Sequence, residues 1–319
     1  SRTVEAYYKI GKCYYKNNDL INTIMSYNQA EEQNKRFIVA GSEGDDYFAA
    51  EAAFALAKIK QQKCSVITFD NNSKDLKDRQ KEKTGLLSQG VNAYQRVMKY
   101  KSEKMFEAAY RIGEMYEEYA YTWSKQKLDL KDPIKLAIAK KDINFASASL
   151  MKKAFEPFKK VIKLGKNIDI TISEQQQWID SAKIKLSNNS ITVGNFMING
   201  ISEMQKSPIP IKIKENLLYL FQYRKQLLET LEPLKIESRD FFLSMYKELE
   251  KQDIKDKNFE DCYNKFGQIN YLIPNEFEKL SEQILTSMDN IPEKLSEAEK
   301  EELIFQFEDI VFELQDKAL

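Results

Sequence analysis

Apolar and polar residues alternate at the spacing of an α-helix in the first thirty residues of the chain. Residues 5–14 place their apolar side chains on one face, where Gly11 leaves room for a second helix to approach closely. The Asn-Asn-Asp segment at 17–19 breaks this pattern, and residues 24–30 resume it. The pattern predicts a helical hairpin whose two helices meet at Gly11.

Two later segments repeat this run, beginning at Glu51 and at Glu107, and they align when Gly11, Ala57 and Gly113 are superimposed. A single hairpin cannot bury its own apolar stripe, so repeated hairpins are expected to stack and cover one another. The second helices also share a register, with a small, an aromatic and a small or β-branched residue in the first three copies. These positions are Thr23, Tyr27 and Ala30, then Gly90, Tyr94 and Val97, then Ala154, Phe158 and Val161, and in a weaker fourth copy Gly194, Ile198 and Ile201, preceded by Trp178 and Ala182.

These offsets resemble those of the tetratricopeptide repeat (TPR) family. The resemblance covers about residues 3–205 and is best in the first copy, which also looks like the repeats of bacterial cell-envelope proteins such as the periplasmic coordinator of the Tol-Pal system. It implies an all-α, right-handed solenoid of helical hairpins, a non-enzymatic role in protein binding, and a periplasmic or cell-envelope location. The cytoplasm stays open as an alternative.

Copies two and three are longer than the family repeat, which indicates insertions at about 61–82 and 120–148. The first is predicted to hold a loop at 62–72 and a helix capped by Ser73, and the second a helix starting at Pro133. Pro157 is predicted to kink that last helix. The insertions have two interpretations, tolerated length variation and a partner-specific projection.

The repeat register ends at the Ser-Pro-Ile-Pro segment of 207–210, which divides the chain into a repeat region, 1–205, and a C-terminal helical bundle, 206–319. The bundle is expected to cap the open end of the solenoid. The stripe of the last helix, which includes Phe307 and Leu314, is predicted to lie in the core of the chain, while Phe305 and Phe312 fall off it. The predicted helices are 213–231, 238–252, 258–268, 274–288 and 296–317.

Composition argues against catalysis and against cofactors. The 319 residues contain no histidine, which removes the commonest general base and the usual zinc ligand. The sequence has no glycine-rich phosphate loop and no cysteine pair at metal-ligand spacing, and Cys13 is predicted to be buried. We therefore expect no catalytic residue, no cofactor and no metal.

Charge is balanced overall, with 49 basic and 49 acidic residues, which argues against a general nucleic-acid binder. The balance hides an asymmetry, because residues 274–319 carry 13 acids against 4 lysines. This acidic excess is either a solvated face or a means of orienting a partner or a neighbouring copy.

No apolar run in the sequence is long enough to span a membrane.

The first helices of stacked hairpins line one concave surface, so equal positions form columns along it. A peptide or helix is expected to bind in this groove, or the chain to assemble with itself. The alternatives are a small-molecule or glycan module, which uses a cleft between solenoid and bundle, and an enzyme with its site in 206–319. One column is aromatic and consists of Tyr8, Phe54 and Tyr110, whose rings lie either in the groove or in the core. The candidate groove residues are Glu5, Tyr8, Lys12, Glu51, Phe54, Lys58, Glu107, Tyr110 and Glu114.

Overall fold

The structure is a computed structural model that describes residues 2–69, 76–100, 102–167, 173–210, 216–289, 291 and 295–319. All regular secondary structure in these residues is helical, so the predicted all-α fold, an array of hairpins followed by a helical bundle, is confirmed. The helices are α1 (Arg2–Lys16), α2 (Leu20–Val39), α3 (Asp46–Ser65), α4 (Leu76–Val97), α5 (Lys104–Ser124), α6 (Pro133–Lys152), α7 (Phe155–Asn167), α8 (Ser173–Gln205), α9 (Leu217–Lys251), α10 (Lys257–Met288) and α11 (Glu297–Ala318).

The chain forms two compact units. Unit 1 comprises Ser1–Asp129 and Ala146–Asn189, and unit 2 comprises Leu130–Phe145 and Ser190–Leu319. Two of these divisions fall within helices, one in α6 and one in α8. The division predicted at residue 205 is a different kind of boundary, because it marks where the repeat pattern ends in the sequence. That division and the insertion boundaries stay predictions.

Unit 1 is an array of stacked hairpins. Helix α1 packs on α2 and α3, α3 packs on α4 and α5, and α5 packs on α7. Helices α1 and α3 therefore each contact their own hairpin partner and the first helix of the next hairpin, which is how stacking buries a stripe that one hairpin cannot cover.

The small residues of the repeat have equivalent surroundings in unit 1. A Cβ on Gly11 would lie 2.6 Å from Cδ1 of Tyr27, and one on Gly113 would lie 2.5 Å from Cε1 of Phe158. Ala57 is fully buried in the same cluster as Tyr94. In each hairpin the aromatic residue of the second helix thus packs on a small residue of the first, which confirms the predicted close approach at Gly11.

Local capping explains where several helices begin and end. Asn18 adopts a positive φ of 58° between α1 and α2, and the Asp19 side chain accepts a hydrogen bond from the backbone N–H of Asn22 at 3.1 Å. At α6, Oδ1 of Asp132 accepts from the backbone N–H groups of Ile134 and Lys135. The predicted break at 17–19 and the predicted helix start at Pro133 are therefore confirmed.

The predicted helix is interrupted beside Pro157: α6 ends at Lys152 and α7 starts at Phe155, with the proline in its first turn, where a missing N–H costs little. Three other local predictions for the repeat region are wrong. The fourth hairpin is absent, because Ala182 and Gly194 lie in one continuous helix, α8. The loop expected from residue 62 begins only at 66, after α3 ends, and Cys13 is exposed because it lies on the open side of α1. The Ser73 cap lies outside the described residues.

The described residues of 206–319 form three long helices, where four or five were predicted. Pro233 lies inside α9 and Pro274 inside α10, and neither ends its helix. A buried stripe runs continuously past each proline, so packing on both sides compensates for one lost backbone hydrogen bond. Residues 211–215, at the start of the first predicted helix, lie outside the described residues.

Helix α10 packs against both α9 and α11. Phe307 and Leu314 of α11 are fully buried, whereas Phe305 and Phe312 are 63% and 75% exposed. The predicted burial of the α11 stripe is therefore confirmed. None of the helices described combines the length and apolarity needed to cross a lipid bilayer.

Candidate interaction site along helix α5

Helix α5 carries the third copy of the groove positions, and two clefts follow it within unit 1. The first cleft, about 140 Å³ in volume, lies beside its first turn, between α3 and the start of α8. Its lining holds four carboxylates and one lysine and therefore has a net negative charge. The lining residues are Tyr47, Glu51, Ser102, Glu103, Lys104, Glu107, Glu174, Gln175 and Trp178.

Lys104 joins two of the predicted groove residues. Its Nζ lies 3.6 Å from Oε1 of Glu51 on α3 and 3.6 Å from Oε2 of Glu107, and 5.3 Å from the centroid of the Phe54 ring. Burial of Lys104 disfavours its charge, but the neighbouring carboxylates of Glu51 and Glu107 outweigh this effect and raise its pKa. The first cleft thus already contains an ammonium group held between two carboxylates over an aromatic face.

Arg111 continues this chain of charges along α5. Its Nη2 donates to Glu107 at 3.2 Å and its Nη1 donates to Glu114 at 2.7 Å, and its guanidinium lies 5.5 Å from the centroid of the Trp178 ring. Burial opposes the charge of Arg111, and Glu114 and Glu107 together raise its pKa. Three predicted groove residues, Glu51, Glu107 and Glu114, are therefore linked through two basic side chains.

The predicted aromatic column divides between partial and full burial. Tyr8 is partly exposed and packs on Phe48, with ring centroids 5.6 Å apart, and its hydroxyl donates to Oε2 of Glu51 at 3.4 Å. Burial and the Glu51 carboxylate raise the pKa of Tyr8 to about 12. Phe54 and Tyr110 are only 5% and 7% exposed, so these two rings form the floor beneath the charged residues and lie in the core.

The remaining predicted residues lie outside the linked cluster. Glu5 pairs with Lys9 of its own helix, Nζ to Oε1 at 2.6 Å, and Lys12 is exposed. Lys58 is exposed, with its Nζ 5.9 Å from the centroid of the Phe54 ring. The groove role of all nine residues stays a prediction, although the structure brings Tyr8, Glu51, Phe54, Glu107 and Glu114 together.

The second cleft, about 550 Å³ in volume, lies beside the second half of α5. Lys185 of α8 crosses to Glu117 at its edge, with Nζ 2.9 Å from the carboxylate. Beneath it, Lys83 is fully buried and donates to the backbone carbonyls of Cys64 and Ile67, at 3.0 and 2.7 Å, and to Oε1 of Glu118 at 2.7 Å. Lys83 therefore caps the C-terminal end of α3 and fixes the wall of this cleft.

Sequence reasoning missed Lys104 and Arg111, the basic residues that link the predicted carboxylates. With Glu107 and Glu114 they alternate in sign every three or four residues along α5, which is a recognisable pattern of ion pairs along one helix face. Glu174 carries no such signal, because it reaches the first cleft from α8, about seventy residues further along the chain. Within the described residues, no group of three or more Cys, Asp or Glu is arranged to hold a metal ion.

Comparisons with known proteins add little to this geometry. No family model matches the chain, and no curated protein matches it. Among solved structures, the chain is similar to a tetratricopeptide repeat protein from Parabacteroides merdae, with 11% sequence identity, coverage of 100% of this chain and 99% of that chain, and a TM-score of 0.25. That TM-score is too low to support an argument, so the description of fold and site rests on the contacts given above.

Proposed function

We propose that this protein is a non-enzymatic interaction scaffold that binds a peptide segment bearing basic side chains along α5. The observation that supports this function is the first cleft, where the carboxylates of Glu51 and Glu107 converge on one ammonium group over the Phe54 ring. Glu103 and Glu174 add two exposed carboxylates to the same lining.

Electrostatics favours a basic ligand over an acidic one. Four carboxylates line the first cleft against the single ammonium of Lys104, so an added lysine or arginine would reduce their mutual repulsion. Tyr47, which is 60% exposed, and Trp178 supply aromatic surface at the edge, where a peptide chain can pack. An extended peptide would also reach the second cleft, because both follow the same helix.

The absence of histidine from the sequence supports a binding role over a catalytic one. The periplasmic or cell-envelope location is retained as part of the proposal and rests on the sequence resemblance alone. The small-molecule or glycan alternative stays a prediction, because it concerns a cleft between the repeat region and the bundle.

The test is selection of peptides from a random 12-residue phage library on the immobilised protein. We expect the selected peptides to be enriched in lysine or arginine and their binding to weaken as salt concentration rises. The double variant Glu103→Gln and Glu174→Gln should lower affinity about fivefold, since each lost charge contact at an exposed site contributes on the order of 0.5 kcal/mol.

The matched control is the double variant Glu43→Gln and Glu82→Gln, which removes two exposed carboxylates of unit 1 away from both clefts. The control should bind the selected peptides as the parent chain does. Selection of acidic or uncharged peptides, or equal affinity of the two double variants, would contradict the proposed site.

A further inference from the structure

The first hairpin exposes a face that its later copies bury. This α1 face consists of Thr3, Ala6, Tyr7, Ile10 and Tyr14, which recur every three or four residues on one side of the helix. Ile10 is 44% exposed, whereas the residues at the same repeat position, Leu56 and Ile112, are 4% and 6% exposed. A depression of about 370 Å³ lies on this face, lined by Arg2, Thr3, Ala6, Tyr7 and Ile10.

The later copies indicate what kind of surface covers such a face. Leu56 lies in one buried cluster with Val4 and Tyr27 of the first hairpin, and Ile112 lies in one cluster with Val91 of the second hairpin. In both places an amphipathic helix provides the cover. The α1 face is therefore shaped to receive a helix with apolar side chains at helical spacing.

Helix α11 carries a second set of exposed apolar side chains. Phe305 and Phe312 are 63% and 75% exposed on the side opposite its buried stripe. They are seven residues apart, which places them on one face about 10.5 Å apart along the helix axis. Thr3 and Ile10, and likewise Tyr7 and Tyr14, have this same spacing along α1.

The two helices also carry opposite charges. Helix α1 has four basic residues, Arg2, Lys9, Lys12 and Lys16, against Glu5. Helix α11 has eight acidic residues against two lysines, and its acidic residues include Glu301, Glu308 and Asp309 on the side of Phe305 and Phe312. Such complementarity orients two surfaces and disfavours pairing of like ends.

We propose that the α1 face of one copy binds helix α11 of a second copy, so that the chain assembles head to tail. The exposed phenylalanines of α11 enter the depression on α1, and the acidic residues beside them face Arg2 and Lys9. Since the two contacting surfaces differ, every open assembly keeps a free α1 face at one end and a free α11 at the other, so assembly continues as a filament or closes in a ring. This contact lies outside the clefts along α5, so it does not rest on the proposed function.

The test is sedimentation velocity of the whole chain from about 1 μM to about 100 μM, a range that detects micromolar association. The average mass should rise with concentration and fall at higher salt. Ile10→Asp and Phe312→Ser should each raise the dissociation constant at least about tenfold. The control is Tyr271→Ser, which removes an aromatic residue that is 71% exposed on α10 and should change nothing.

Mixing the two defective chains separates head-to-tail pairing from other modes. Ile10→Asp leaves α11 intact and Phe312→Ser leaves the α1 face intact, so a 1:1 mixture should form dimers and nothing larger. A parent chain that stays monomeric, variants that assemble as the parent does, or a mixture that stays monomeric would each overturn the proposal. Circular dichroism confirms that each variant is folded, and unchanged peptide selection shows that the clefts are unaffected.

Discussion

Both units contain the same packing device, an aromatic ring seated on a small residue, but they obtain it differently. In unit 1 the device recurs within each hairpin, as Gly11 with Tyr27 and Gly113 with Phe158. In unit 2 an added Cβ on Gly194 would overlap the ring of Phe242, a residue of α9 that lies outside any repeat. A small residue therefore signals that another helix approaches closely, whereas only a repeat predicts which helix it is.

The largest effect is expected from removing the ring in unit 1. Phe158→Ala empties a fully buried site over Gly113 and should cost about 3–5 kcal/mol of the free energy of unfolding. Both tryptophans, Trp123 and Trp178, belong to unit 1, so urea unfolding followed by tryptophan fluorescence reports on this unit. Tyr271→Ala, at an exposed site, should change stability by less than about 0.5 kcal/mol. If Phe158→Ala lowers the free energy of unfolding by as little as Tyr271→Ala does, the packing of Phe158 on Gly113 does not stabilise unit 1.

The buried lysines of the two units should differ in their effect. Lys83→Met leaves the carbonyls of Cys64 and Ile67 without their donor and should cost about 2–4 kcal/mol. Lys235 of unit 2 pairs with Glu276, which keeps contact with solvent, and burial lowers the pKa of Lys235 to about 8. Lys235→Met should therefore cost only about 1 kcal/mol, because the carboxylate of Glu276 that it leaves behind is still solvated.

Urea unfolding measures this difference, with circular dichroism to follow both units and tryptophan fluorescence to follow unit 1. Equal losses for Lys83→Met and Lys235→Met would show that the carbonyl contacts of Lys83 contribute little.

Matched glycine substitutions test the close approaches themselves. Gly113→Ala and Gly194→Ala place a methyl group against an aromatic ring and should lower stability by about 1–2 kcal/mol, after the gain in helix propensity is subtracted. Gly85 in α4 and Gly267 in α10 have no atom within 4 Å of an added Cβ. Their replacement by alanine should raise stability by about 0.5–1 kcal/mol. If all four substitutions have the same sign, the rings do not restrict these positions.

The smallest effect concerns a carboxyl group in the first two hairpins. Burial raises the pKa of Glu31 above its ordinary value of 4.5, although Arg96 and the Tyr100 hydroxyl favour the charged form. The folded state therefore holds this proton more tightly than the unfolded state does. The contribution of Glu31 to stability is full below pH 4.5 and is lost as pH rises through the folded pKa.

Glu31→Gln should remove this part of the pH dependence and leave stability at pH 7 equal to or above that of the parent chain. Urea unfolding at several pH values between 4 and 7 provides the measurement. If the free energy of unfolding of Glu31→Gln changes with pH as that of the parent chain does, the pH dependence comes from other groups.

The sequence alone determined the all-α fold and the hairpins of unit 1. Gly11 packs on Tyr27, and the repeat presents the same interaction again as Gly113 with Phe158, so the repeat register identifies the partner of each small residue. Helix periodicity likewise predicted the buried stripe of α11 that contains Phe307 and Leu314. These features depend on local spacing, which a sequence records directly.

Tertiary structure decided the rest. The continuation of α9 past Pro233, the seating of Phe242 on Gly194, and the entry of Glu174 into the first cleft all depend on residues distant in sequence. The floor position of Phe54 and Tyr110 was left open by their spacing and was decided by packing, of Phe54 on Tyr94 and of Tyr110 on Phe158 and Trp178. The physical reason is that helical spacing specifies which side of a helix is buried, whereas the identity of the covering surface depends on how distant segments pack together.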